Sequence, residues 1–318
     1  MGYFPNPAPR VPVATRAPLT SCTPTGPRRL PAYLALAAGV ICISWSAIFV
    51  RWTDIPGPAS AFYRLLIPAL VLLPTFFFDR GQPRLSGRNL GIIALGGLFF
   101  ALDLALYNTP VLRTTAANAT VLGNCSPVVV GLLTWLLFRR RARAAFWLGL
   151  LLAVGGSVLI VWADLTRHRQ FGVGDLMALG AGACFAVYLM ATEEVRAHTS
   201  TLVFLRLAIF SSTLALLLIN LALGISLRVP NGRTWAALFG LGLFTQLGGY
   251  LALTYALGHL PATITSVSLL TQVPLTALLA AFLFRETLTL PQFTGALLVL
   301  SGVTLAHRPQ HPEDEANL

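Results

Sequence analysis

The chain has 318 residues, of which 56% are hydrophobic and only 10% charged. A water-soluble domain carries about 25% charged residues, so this chain cannot cover its surface with polar groups and needs lipid as part of its solvent. The formal net charge of +11 comes from arginines that lie mostly between apolar stretches, a pattern of membrane topology and not of a nucleic-acid-binding face.

Residues 1–30 are rich in Pro, Thr and Arg, contain no acidic residue and show no apolar core before Pro31. They read as a disordered basic tail and not as a cleaved signal peptide. Ten apolar runs follow, at about 31–50, 58–78, 89–108, 115–138, 145–163, 173–191, 201–224, 234–257, 262–284 and 290–306, before a polar C-terminal tail at 307–318. Each run is too long for an ordinary strand and lacks the alternation of a membrane β-barrel. Breakers stand between the runs or at their beginnings: Pro56 and Pro58, Gly81 and Pro83, Gly172 and Gly174, Pro230 to Gly232, and Pro291. The expected fold is therefore all-α and integral to a membrane, with ten transmembrane helices. With the N-terminus in the cytoplasm, thirteen loop and tail arginines fall inside and seven outside, which favours both termini inside.

The runs repeat. Run four and its exit read TTAANATVLGNCSPVVVGLLTWLLFRRR, and run nine and its exit read LPATITSVSLLTQVPLTALLAAFLFRETLT. Both place a small, Thr-rich entry before a single proline, Pro127 or Pro274, then an apolar stretch and an arginine-bearing turn. Glycine-bearing runs close each unit, with Gly149, Gly155 and Gly156 in run five and Gly295 and Gly302 in run ten. Runs two and seven match through Phe62-Tyr63-Arg64-Leu65 and Phe204-Leu205-Arg206-Leu207. Runs three and eight share a Gly-rich start but align only with a gap. Five helices per half is odd, so the halves at 31–163 and 173–306 enter the membrane from opposite sides, as inverted five-helix repeats do.

Ionisable groups inside a span cost about 2.5–3.5 kcal/mol at mid-helix on insertion scales. Asp103, between Leu102 and Leu104 in run three, is the leading candidate for proton coupling or for recognition of a cationic group. Its structural alternative is a partner for a membrane arginine such as Arg64. Arg64 and Arg206 occupy matching places and are expected either to snorkel to the interface or clamp a neighbouring helix, or to bind an anionic solute. Trp45, Ser46, Tyr107, Asn118, Asn124, Tyr188, Gln246, Tyr250 and Gln272 supply uncharged polar groups, either for solute binding or for helix–helix hydrogen bonds. Pro127 and Pro274 should break or kink runs four and nine. Cys42, Cys125 and Cys184 fall singly in different runs, and the five histidines show no metal-ligand spacing, so no metal or cofactor is expected.

The segment FFALDLALYNTPVLRTTAANATVLGNCSPVVVGLLTWLLF resembles the EamA-type members of the drug/metabolite transporter superfamily. Gly174-Asp175-Leu176, Pro274, the Arg285-Glu286 turn, Gly295 and Gly302 agree with it in the second half. One departure is Arg139-Arg140-Arg141, where the family's usual acidic residue is missing. The resemblance implies two EamA repeats and a central cavity lined by both halves. It further implies a secondary transporter of small metabolites, amino acids or drug-like solutes, working by alternating access as an exporter in a bacterial cytoplasmic membrane. Protons are the expected coupling ion, and no nucleic acid is a partner. Two other classes remain. An intramembrane aspartyl protease would use Gly172-Val173-Gly174-Asp175 with Asp103, but Asp175 stands at the mouth of run six as a helix cap. A membrane scaffold that transports nothing is the other. No phosphate-binding P-loop is present, so ATP-driven pumping by this chain is not expected.

Overall fold

The computed structural model describes residues 29–78, 85–108, 122–138, 144–162, 172–284 and 289–307. Nearly all of both polar tails, Asn118 and the arginine-bearing turns at 139–143 and 285–286 lie outside the described residues. Among the described residues every regular element is helical. Seven helices are long and apolar enough to cross a membrane: Leu30–Arg51, Gly57–Phe77, Gly87–Tyr107, Val173–Arg196, Thr201–Ala222, Gly232–Leu257 and Ala262–Leu283. Runs four, five and ten form shorter apolar helices, Ser126–Leu136, Ala144–Ile160 and Leu290–Ala306. Among the described residues seven helices therefore reach full spanning length, and ten spans are not confirmed. A 17-residue helix rises only about 25 Å, against a hydrocarbon core of about 30 Å, and the first part of run four is not among the described residues.

Helix starts follow the expected capping chemistry. The Asn231 side chain accepts from the Thr234 N–H at 2.8 Å, and Ser200 accepts from the Val203 N–H at 3.4 Å. Asp175 accepts from the Gly172 N–H at 2.8 Å, as a residue at the mouth of run six should. The exterior is apolar: Phe282 is 87% exposed, Leu136 71% and Leu151 70%. Arg64, Arg206, Asn220 and Gln246 are buried instead. Such a surface is soluble only in lipid.

The helices pack across the two halves. Run one lies against run eight and run three against run six, while run two packs on run seven and run five on run ten. Exchanging the halves turns each of these pairs into another member of the same set, which is the signature of a two-fold relation. The run five–run ten pair makes it explicit, because Gly149 faces Gly302 while Gly156 faces Gly295, so the helices cross antiparallel. A methyl group on Gly149 would lie 2.5 Å from the Gly302 carbonyl oxygen, and one on Gly156 would lie 2.5 Å from that of Gly295. Only glycine permits backbones this close. Gly155 has open space around it, on the face turned away from the partner helix.

Among the described residues five runs depart from regular α-helix, and in run two a turn at 73–74 separates Gly57–Leu72 from Thr75–Phe78. Run four turns at 124–125 and run nine at 270–271, in each case just before its proline, Pro127 or Pro274. Proline offers no N–H to the carbonyl one turn back, and the chain tightens into three-residue bonds there. The Cys125 N–H donates to Leu122 O at 3.1 Å and the Leu270 N–H to Val267 O at 3.1 Å. Run one breaks at Trp45, between Arg29–Ser44 and Ser46–Arg51. The Thr276 hydroxyl of run nine donates to Ser44 O at that break, at 2.9 Å. Run eight contains a ten-residue π-helix, Gly240–Gly249, and spans 26 residues where its counterpart, run three, spans 21. Widened turns of this kind cluster at functional sites.

Candidate functional site

The irregular stretches of runs one and eight meet run two at Arg64. This residue sits about 10 Å along its helix from Gly57, at the 1.5 Å rise per residue, and is only 8% exposed. Its Nε donates to Gln246 Oε1 at 2.7 Å, and an Nη donates to Ser46 Oγ at 3.0 Å. The guanidinium also lies over the Tyr250 ring, with Cζ 5.7 Å from the centroid. One arginine thus ties runs one and two of the first half to run eight of the second. Gln246 sits inside the π-helix and is fully buried, and its Nε2 has no hydrogen-bond partner among the described residues.

Aromatic side chains continue from this point into the centre. Phe100 of run three stacks on Tyr188 of run six at 4.6 Å between centroids and approaches Tyr250 at 4.9 Å. Phe185 adds a further ring 6.0 Å from Tyr188. Asp103 lies one turn beyond Phe100 on the same helix face. It is half-buried and interacts electrostatically with Arg64, Tyr250 and Cys184. Among the described residues it makes no hydrogen bond and no ion pair with Arg64 within 4.0 Å. The expectation of a direct structural pair between these two residues is therefore not met. The guanidinium is turned toward Gln246 and Ser46 instead.

The remaining sequence candidates separate. Asn124 and Gln272 come together at the two proline breaks, Gln272 Nε2 donating to Asn124 Oδ1 at 3.0 Å. Tyr107 packs over Gly123, where a methyl group would lie 3.0 Å from its ring. Trp45, at the break in run one, stacks near Phe49 and meets Phe244 edge-on at 6.3 Å. Arg206 does not mirror Arg64. It donates to Thr75 O at 3.1 Å and lies 4.4 Å from the Phe76 ring, binding the end of run two and not the centre. Asn118 falls outside the described residues.

Three participants were not singled out in the sequence: Phe100, Phe185 and Thr276. Phe100 stands three residues before Asp103, and Phe185 three before Tyr188, the spacing that puts two side chains on one helix face. That spacing was the available signal. At the other end of the fold, Arg196 donates to Thr254 O at 3.1 Å, Glu193 accepts from the Ala262 N–H at 2.9 Å, and Arg88 pairs with Glu194 at 3.3 Å.

A two-fold helical bundle with an apolar exterior and a buried polar cluster between its halves defines a multi-pass membrane protein of the transporter class. The EamA-like transporter family matches residues 30–162 and 172–307, one match per half, and the chain belongs to that family. It is 30% identical over 267 residues to the uncharacterized transporter YwfM of Bacillus subtilis (strain 168), covering 80% of this chain and 87% of that protein. An uncharacterized transporter of Archaeoglobus fulgidus is 27% identical across 88% of this chain and 98% of its own length. The pseudopaline exporter CntI of Pseudomonas aeruginosa is 26% identical across 67% of this chain and 73% of its own. A solved structure at 19% identity superposes with a TM-score of 0.73 over 88% of this chain and 98% of that one, a likeness of fold.

Proposed function

We propose that the chain is a secondary carrier that moves a small polar organic solute out of the cell across the cytoplasmic membrane by alternating access. In this reading it makes ten crossings with both termini in the cytoplasm. The observation that carries the proposal is the Arg64 cluster, where polar side chains of runs one, two and eight converge in the bundle interior beside Asp103. Buried charge is costly in a membrane protein and is retained where solute or ion passes. Export is favoured by the name of CntI, an exporter that matches two thirds of this chain.

The proposed cycle uses the irregular helices. The breaks at Trp45, 124–125 and 270–271, with the π-helix, are where the helices bend. The antiparallel glycine crossing of runs five and ten is the pivot about which the halves rock. Releasing Arg64 from Gln246 and Ser46 parts runs one and two from run eight at that level. Asp103 is the group through which a proton gradient would couple.

The test is counterflow in proteoliposomes with a labelled metabolite panel, comparing wild type with Asp103→Asn. We expect exchange by the wild type and at least tenfold slower exchange by the variant at equal folded protein. Exchange by neither, from protein that is folded by thermal melting, would leave a non-transporting scaffold. Equal exchange by both, across a range of pH, removes Asp103 from the cycle.

A further inference from the structure

Where run seven ends, the chain turns back across one mouth of the bundle. Gly224, at φ +63°, closes the helix, with the Ile225 N–H donating to Asn220 O at 2.9 Å and the Gly224 N–H to Leu221 O at 3.2 Å. Residues 225–230 follow without helix, and their burial alternates: Ile225, Leu227 and Val229 are half-buried, while Ser226, Arg228 and Pro230 are exposed. An extended segment with one apolar edge turned inward is a strap lying on the bundle. It is fastened to the other half. The Tyr63 hydroxyl of run two donates to Leu227 O at 2.6 Å, and its ring meets Trp235 of run eight edge-on at 5.4 Å. Asn231 Nδ2 donates to Asp54 Oδ2 at 3.2 Å, and the Asp54 N–H donates to Thr234 Oγ1 at 3.4 Å. At the foot of the strap, Asn220 Nδ2 donates to Pro58 O at 3.1 Å.

We infer that residues 225–231 are a gate strap, which shuts the mouth above the Arg64 cluster and opens when the Tyr63 hydroxyl releases Leu227. The inference rests on the carrier reading above, which places this mouth outside the cell. Asp54, Pro58 and Tyr63 belong to the first half, and Asn220, Leu227, Asn231 and Thr234 to the second. These are the parts that must separate for the mouth to open. Tyr63 immediately precedes Arg64, so the latch stands next to the buried charge that binds run eight. The latch is also single-ended. At the opposite mouth, the residue that matches Tyr63 when Arg64 is aligned with Arg206 is Leu205, which is buried and has no hydroxyl. One neutral hydrogen bond shifts an equilibrium by about fivefold, a size that biases a gate toward closure without locking it.

The test uses the full chain with Cys22, Cys42, Cys125 and Cys184 replaced by alanine. In proteoliposomes, Asp54→Cys with Asn231→Cys is bridged by a short bifunctional methanethiosulfonate that a thiol reductant removes. Bridging should slow counterflow of the metabolite panel at least tenfold, and reduction should restore it, while either single variant ignores the reagent. Ser60→Cys reports opening directly, because Ser60 is 2% exposed and shares a helix face with Tyr63. Adding Tyr63→Phe should speed its alkylation by a water-soluble maleimide in detergent by about fivefold, at equal folded protein. Full-rate exchange by the bridged pair overturns the inference and leaves the carrier standing, as does alkylation that Tyr63→Phe leaves unchanged. If the cysteine pair or Tyr63→Phe fails to fold, the other measurement decides. Exchange of no panel solute by the wild type sinks the carrier reading, and with it a gate for solute.

Discussion

Substituting Gly156 by alanine tests the two-fold relation at its tightest point. The added methyl group would stand 2.5 Å from Gly295 O, 2.8 Å from Val299 N and 2.9 Å from Leu298 Cβ. Comfortable carbon contacts begin near 3.5 Å, so runs five and ten must separate by about 1 Å or bend. Overpacking of this kind costs about 1–3 kcal/mol. For a chain of this size that corresponds to a fall in melting temperature of roughly 2–10 °C. The neighbouring residue supplies the control, because Gly155 has nothing within 4 Å of the same added atom. Gly155→Ala should be neutral or stabilise by about 1 kcal/mol through helix propensity. The assay is thermal unfolding in detergent, followed by thiol-reactive fluorescence at Cys42, Cys125 and Cys184, which form no disulfide among the described residues. Equal melting of the two variants, or a lower value for Gly155→Ala, would refute the antiparallel crossing.

Three further predictions follow from the polar contacts. Arg206→Gln should lower thermal stability by about 1–3 kcal/mol, because it removes a charged donor from Thr75 O, while solute affinity stays within twofold; a tenfold loss of affinity would contradict its peripheral role. A double-mutant cycle of Asn124→Leu with Gln272→Leu should give a coupling energy of about 0.5–1.5 kcal/mol in thermal stability, since these side chains bond directly at 3.0 Å; additivity would refute the contact. Pro274→Ala should slow exchange at constant solute affinity by straightening run nine at 270–271, and an unchanged rate would remove that break from the cycle.

Hydrophobic length and proline position made much of this fold legible. The runs are readable because lipid demands long uniform apolar stretches, and the breaks at 124–125 and 270–271 stand just before the only prolines in runs four and nine. Gly149, Gly156, Gly295 and Gly302 marked the tight pair because close approach leaves no substitute for glycine. The break at Trp45 was not legible, since neither proline nor glycine stands there and the freed carbonyl finds its donor on Thr276, distant in sequence. Nor could sequence separate Arg64 from Arg206. Both sit early in matching helices, and only the packing of run eight against run two turns one toward the centre while the other takes a carbonyl at a helix end. The π-helix did leave a trace, in the gap needed to align runs three and eight, but a gap does not say what shape the extra residues take.

That extra length has a consequence for direction. In a strictly two-fold carrier the inward- and outward-facing forms are mirror tasks for identical parts and carry equal free energy. The wider turns of Gly240–Gly249 are present in one repeat, while run three of the other is one continuous α-helix over Gly87–Asn108. On the alternating-access reading proposed above, repeats that differ in this way have lost that degeneracy, and the two resting orientations would differ in population without any solute bound. A directional bias in such a cycle would then be set by the backbone, before any gradient acts on it.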